Sequence, residues 1–211
     1  MNTLELRKKR AKNIIRALTK LFPHAGMMLR YSNNWELLVA VMLSAQCTDK
    51  KVNEVTKKLF KKYRTLNDYV LATPKAFEKD IYQTGFFRTK TKHILAAAKI
   101  VKETFHGRIP RTMPEMLTLP GVARKTANVV LGNAHGVVEG IAVDTHVKRI
   151  ARITGLTKHE NPEKIERDLM AVVPRKDWFR FTYLLIEYGR KHCPARRHNH
   201  AGCPLSKIIK T

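Results

Sequence analysis

Apolar residues recur at helical spacing along almost the whole chain, and no segment alternates apolar and polar residues for long enough to claim a sheet. Leu4 to Phe22 is a basic amphipathic stretch that Pro23 stops. Trp35 to Ala45 is apolar on most sides and reads as a buried helix. Asp49 to Tyr63 sets Val52, Val55, Leu59 and Phe60 on one side, and Thr89 to Phe105 repeats the pattern with Ile94, Leu95, Ala98 and Val101. Further helices are expected at Arg124 to Gly132, Thr145 to Thr154, Pro162 to Val173 and Trp178 to Lys191. Val137 to Val143 suits a short strand and a buried connector equally. The fold class is therefore all-α, with no repeat or low-complexity linker to mark a boundary.

A helical chain of 211 residues can form one large domain or two small ones around a shared cleft. Its charge narrows the choice of partner. Lys and Arg total 41 against 17 Asp and Glu, a formal net charge of +24. Such an excess implies a polyanion, because cationic side chains release counterions from a phosphate backbone. Tuning for solubility or for an anionic membrane surface is the plainer reading of the same charge. No apolar run approaches the roughly 18 residues of a membrane span. The basic N-terminus, Arg7 to Arg10, is followed by no apolar signal region, and Glu5 interrupts a transit-peptide pattern. Cys47, Cys193 and Cys203 are too few for a disulfide framework, so a reduced, intracellular protein is expected.

Leu119-Pro120-Gly121-Val122-Ala123-Arg124-Lys125-Thr126 is the most informative stretch. Pro and Gly make a tight hairpin and a helix starts directly after it. A helix N-terminus offers backbone N–H groups and the positive end of a dipole, which together suit a phosphate. Gly121 allows close approach of the backbone. Downstream, Ile141-Ala142-Val143-Asp144-Thr145-His146-Val147 places a carboxylate at a helix start. The plain reading of Asp144 is an N-cap and that of Lys125 a solvated helix lysine. At nineteen positions apart, the pair can also be brought to one cleft by two hairpin-linked helices.

The order of these motifs resembles the endonuclease III family of DNA glycosylases, which carry a helix-hairpin-helix motif and a downstream loop ending in Asp. The hairpin through Ala127 and the run Val143-Asp144-Thr145-His146 carry the likeness. Met42-Leu43-Ser44-Ala45-Gln46-Cys47-Thr48-Asp49 is similar to that family's early motif, and Gly85-Phe86-Phe87-Arg88-Thr89-Lys90 to its wedge loop. The match runs from about Ala11 to Cys203. It implies two helical subdomains flanking a DNA-binding cleft. One is a six-helix barrel with the helix-hairpin-helix over residues 27–137. The other comprises 1–26 and 138–211 and holds a degenerate cluster loop. A monomer acting on double-stranded DNA with damaged bases or abasic sites is implied, located in the cytoplasm or nucleoid.

The resemblance also assigns roles. Lys125 is expected to attack C1′ of the damaged nucleoside, releasing the base and forming a Schiff base that β-eliminates and nicks the strand. A lysine attacks only as the free amine, a form that nearby cations such as Arg124 or desolvation favour. Asp144 would stabilise oxocarbenium-like charge on the sugar or shuttle the lysine proton. The target base must leave the stack first. Gln46 would then fill the hole and Phe86 would wedge between neighbouring bases, although Phe86 also suits a core aromatic, and Phe87 is the more buried of the pair. Ser44 and Asp49 fall near the base pocket, unless Asp49 simply caps its helix. Gly121, Ala123, Arg124, Thr126, Arg196 and Arg197 are expected at the DNA.

Three departures stand out. The family usually ends in C-x6-C-x2-C-x5-C, which holds a [4Fe–4S] cluster. Here Cys193 and Cys203 match the first and third positions, while His200 and Ile209 occupy the second and fourth. Isoleucine cannot ligate iron, so the cluster is expected to be absent. The loop is then held by packing and hydrogen bonds, with zinc on Cys193, His198, His200 and Cys203 as the alternative. Ala123 replaces the hairpin's second glycine, which alters the amide–phosphate approach slightly, alanine being tolerable in αR conformation. Leu117 stands where some relatives carry a pocket glutamate. The reading that follows is a bifunctional glycosylase and abasic-site lyase for oxidised pyrimidines such as thymine glycol or dihydrouracil. An abasic-site lyase with feeble base release and a non-catalytic DNA-binding module are the alternatives.

Overall fold

The computed structural model describes residues 3–196 and 198–209. Among them every regular element is helical. The chain divides into two compact units, residues 28–137 and residues 1–27 with 138–211. No helix among the described residues is long and apolar enough to cross a membrane.

The unit of residues 28–137 is built around α2, Asn34–Leu43, in which every residue from Trp35 to Leu43 is buried. Asn33 caps it by accepting from the Glu36 N–H at 2.9 Å, and the buried Glu36 carboxylate accepts from the Ser32 N–H at 2.6 Å. Around it lie α3 (Asp49–Lys62), α4 (Leu66–Leu71), α5 (Pro74–Ile81), α6 (Phe87–Glu103), α7 (Met113–Leu117) and α8 (Arg124–His135). That makes seven α-helices where six are expected, because short capped turns count as helices once their ends are satisfied. The sequence pattern does not reveal α4, α5 and α7, whose lengths hold too few turns for apolar periodicity. Their end signals are nonetheless present. Thr65 and Asp68 form a reciprocal capping box on α4, and Pro74 starts α5. Tyr63, Tyr69, Phe77 and Trp35 interlock beneath them with ring centroids 5.2–5.8 Å apart.

One buried cation joins three segments of this unit. Lys90 on α6 donates from Nζ to the Leu43 carbonyl, near the end of α2, and to the Thr84 carbonyl of the 3₁₀ turn Tyr82–Thr84, each at 2.8 Å. Terminal carbonyls lack intrahelical partners, and a cation there also suits the negative dipole end.

The second unit packs α1 (Thr3–Leu21) with α9 (Thr145–Ile153), α10 (Pro162–Val172), α11 (Trp178–Lys191) and α12 (Ser206–Ile209). Ala11, Ile14 and Leu18 of α1 share a core with Ile150, Leu169, Phe181 and Tyr188. Basic residues of α1 also bind inward. Arg7 donates to the Leu156 carbonyl from Nε at 3.0 Å and pairs with Asp168, and Arg10 donates to the Thr154 carbonyl at 3.1 Å. Val138 to Val143 forms no strand. It is a connector, buried from Gly140 to Val143, and the Thr182 hydroxyl donates to its Ala142 carbonyl at 3.2 Å.

Burial holds the Lys90 ammonium below the usual lysine pKa. Its charged form therefore opposes folding at low and neutral pH, and the penalty fades as pH climbs through the depressed value towards about 10.4 in the unfolded chain. Lys90→Met leaves two buried carbonyls without donors and is expected to destabilise by about 2–4 kcal/mol in urea melts at pH 7. Wild type should gain stability on going alkaline relative to Lys90→Met; parallel pH profiles would contradict the burial.

Candidate active site

The hairpin ahead of α8 is a four-residue turn. The Val122 N–H donates to the Leu119 carbonyl at 3.1 Å, Pro120 takes the second position, and Gly121 takes the third at φ 77°. That third position requires the left-handed region, which favours glycine. A Cβ on Gly121 would come within 2.7 Å of His93 Nδ1, so the turn also packs directly on α6. Ala123 is extended (φ −91°, ψ 169°), not αR, and adopts this without strain as the residue before α8. It supplies no capping oxygen, and the helix start presents its positive dipole end to an anion. Lys125 is the second residue of α8 and is exposed, flanked by half-buried Arg124 and Thr126.

Gln46, Phe86 and Gly121 line one open cavity of about 240 Å³ together with Met42, Thr89, Lys90 and His93. Three residues singled out from separate motifs thus meet in the unit of residues 28–137. Gln46 (φ 54°) and Phe86 (φ 46°) are both left-handed non-glycine residues. Each costs roughly 1–2 kcal/mol of backbone strain, a burden that clusters at functional sites. Phe86 is 63% exposed, which removes the core-aromatic reading, while Phe87 is half-buried against Tyr82 at 5.0 Å. His93 escaped the sequence reading, and Thr89 entered it only within the wedge-loop run and as a helix start. Their signal was the spacing Phe86, Thr89, Lys90, His93, which is one helical stripe.

Ser44 and Asp49 lie outside the lining of this cavity. Ser44 is half-buried at the end of α2 and donates from Oγ to the Val41 carbonyl at 2.8 Å. Asp49 is the first residue of α3 and not its cap; Thr48 Oγ1 accepts from the Lys51 N–H at 3.3 Å in that role.

Asp144 belongs to the other unit and caps α9, where Oδ1 accepts from the Val147 N–H at 2.8 Å. The plain capping role is real, and it fixes the carboxylate by one oxygen. On α9, Arg149 donates from Nη2 to the Cys193 carbonyl at 2.6 Å and to the Gly189 carbonyl at 3.4 Å. Gly189 is required there, since a Cβ would come within 2.5 Å of His146 Nδ1. Beyond α11, Cys193 and Cys203 are buried, His198 is half-buried and His200 exposed. The ligand atoms of Cys193, His198 and His200 all lie within 4.8 Å of one another. Cys203 Sγ stands 3.5 Å from His198 Nε2 and 4.0 Å from His200 Nδ1. Arg196 is exposed, and Arg197 lies outside the described residues.

Residues 39–175 match the family described as HhH-GPD superfamily base excision DNA repair protein. The chain is 47% identical over 202 residues to endonuclease III of Synechocystis sp., covering 96% of this chain and 92% of that one. It is similar to a solved non-covalent endonuclease III–DNA complex, with 39% identity, TM-score 0.91, and 99% and 95% of the two chains covered. A trapped endonuclease III–DNA covalent intermediate is 40% identical with TM-score 0.90, covering 97% and 94%.

The exposed, left-handed Phe86 gives a direct test of strain held for contact. Phe86→Gly is expected to match or exceed wild-type thermal stability, by up to about 1 kcal/mol, because glycine relieves the αL cost. The same variant should lose the fluorescence rise of a 2-aminopurine placed beside a lesion. A clear drop in stability would mean that the ring supports the fold.

Proposed function

The chain belongs to the endonuclease III family within the HhH-GPD superfamily of base excision DNA repair proteins, its activity is that of a DNA glycosylase and abasic-site lyase, and we propose that Lys125 is its nucleophile and oxidised pyrimidines its substrates. The observation that carries the proposal is an exposed lysine in the first turn of a helix without a side-chain cap, directly behind the Pro120-Gly121 turn. A backbone phosphate held there positions the strand without reading its sequence.

The reaction follows from the chemistry of the two residues. The Lys125 amine forms a bond to C1′ as the C1′–N glycosidic bond breaks, and the base leaves with that electron pair and takes up a proton. Loss of an amine proton and ring opening give the Schiff base. Removal of a C2′ proton then expels the 3′ phosphate and cuts the strand. Asp144 supplies negative charge for the cationic sugar and a place for the lysine proton. With the target base out of the stack, Gln46 fills the vacated space and Phe86 separates its neighbours. Arg124, Thr126, Arg196 and Arg197 are assigned to phosphates, and Ser44 and Asp49 to the base pocket. Such a protein acts as a monomer on double-stranded, damaged DNA, which places it inside the cell with the genome. The exposed Leu117, an apolar side chain where some relatives carry a glutamate, supports the narrower reading of an abasic-site lyase with weak base release.

Relatives in this family carry a [4Fe–4S] cluster on four cysteines. Two thiols and two imidazoles do not fit that group, since Cys193 and Cys203 are the only cysteines of the terminal loop. We assign the chain a cluster-free active protein, and no step of the reaction runs through iron.

Borohydride should trap a covalent complex of wild type on a thymine-glycol duplex, with Lys125→Ala reduced to background; equal trapping by the two would remove Lys125 from the reaction. Asn caps helices as well as Asp. Asp144→Asn is therefore expected to melt within about 0.5 kcal/mol of wild type while base release falls by about 10² or more. Retained base release would leave Asp144 as a cap alone.

A further inference from the structure

We propose that Cys193, His198, His200 and Cys203 bind one Zn²⁺ that closes the C-terminal loop, a site that rests on the cluster-free reading above. In a tetrahedral zinc site, with Zn–S near 2.3 Å and Zn–N near 2.0 Å, a thiolate and an imidazole nitrogen stand about 3.6 Å apart. The sulfur–nitrogen separations here are 3.5 Å for Cys203 to His198, 3.9 Å for Cys193 to His200 and 4.0 Å for Cys203 to His200. Three donors, those of Cys193, His198 and His200, thus lie within 4.8 Å of one another, and Cys203 Sγ stands within 4.0 Å of a nitrogen on each imidazole.

The orientation of His198 is an independent sign. Its Nδ1 lies 2.9 Å from the Arg196 carbonyl oxygen, so that nitrogen carries the proton and donates. The opposite nitrogen, Nε2, then presents a lone pair, and it is the atom that faces Cys203 Sγ. A metal-bound histidine is held in the same way, its second nitrogen donating to a backbone carbonyl and fixing the tautomer. Hydrogen bonds to backbone groups fix described residues on either side of these donors. Arg149 grips the Cys193 carbonyl, the Ala201 N–H donates to Asn199 Oδ1 at 2.9 Å, and the Cys203 N–H donates to the His200 carbonyl at 3.0 Å.

The donor set selects the ion. Two thiols with two imidazoles suit zinc, whereas magnesium and calcium take oxygen ligands. The buried sulfurs and the half-buried and exposed imidazoles put the soft ligands inward and leave the outer face open for entry. With no position left over for water, such a site is structural and adds to folding stability. Sequence spacing alone, Cys-x4-His-x-His-x2-Cys, favoured a loop held by packing; convergence of the side chains reverses that order. A purely packed plug remains the competing arrangement, in which Cys203 Sγ donates to the His192 carbonyl at 3.2 Å.

Elemental analysis of the purified full-length chain should find about one zinc per protein. Lys125→Ala should keep it, and Cys203→Ser and His200→Ala should each lose it. Replacement by Co²⁺ should give the visible d–d bands and thiolate-to-cobalt charge transfer of a tetrahedral two-sulfur, two-nitrogen site, a readout on wild type that stands even if a variant fails to fold. Chelation should lower the melting temperature, and Zn²⁺ should restore it. Wild type that holds no zinc and gives no cobalt spectrum after thiol reduction overturns the zinc site while leaving the cluster-free reading intact. Stoichiometric iron with acid-labile sulfide overturns both.

Discussion

The Lys90 ammonium sets the geometry around the cavity lined by Gln46, Phe86 and Gly121 in residues 28–137. Buried charge is tolerated only where its hydrogens are used, and here they hold the end of α2 and the turn before α6 to one point. Gln46 follows the first of those segments and Phe86 the second. Both side chains emerge from left-handed backbone beside the same cavity, so their strain is borne by a locally over-determined frame. Removing the ammonium would loosen the two loops together, which is why it belongs to the site as well as to the core.

Much of this was legible in the amino-acid sequence, for reasons that differ by element. α11 spans the expected Trp178–Lys191, and α1, α3 and α10 end within a residue or two of expectation, because long amphipathic stripes and prolines mark them. The short helices α4, α5 and α7 carry their information in caps and not in periodicity. Gly140 to Val143 is apolar because it is buried, and the length of the run from Val138 is consistent with a strand, so only tertiary context decides. Ala123 is extended because the residue before a helix has non-helical backbone, a point that outweighs its intrinsic preference.

The site was legible to a different degree. Motif order singled out Lys125, Asp144, Gln46, Phe86 and Gly121, each of which also has an ordinary structural explanation. Geometry shows two of those explanations operating at once: Asp144 does cap its helix, and Gly121 does serve close packing, on His93. The roles proposed for them are laid over those duties and do not replace them. His93 was missed because a lone histidine on a helix has no signature until the hairpin is folded against it.

Arg149 has a consequence for how this chain can change over time. Its guanidinium holds α9 to the main-chain oxygens of Gly189 and Cys193, and main-chain oxygens are present whatever side chains follow. The helix that begins at Asp144 is thereby insulated from the identity of the terminal loop's ligands. Side chains in that loop can therefore change without asking the Asp144 carboxylate to move, since the contacts that hold α9 run to main-chain oxygens.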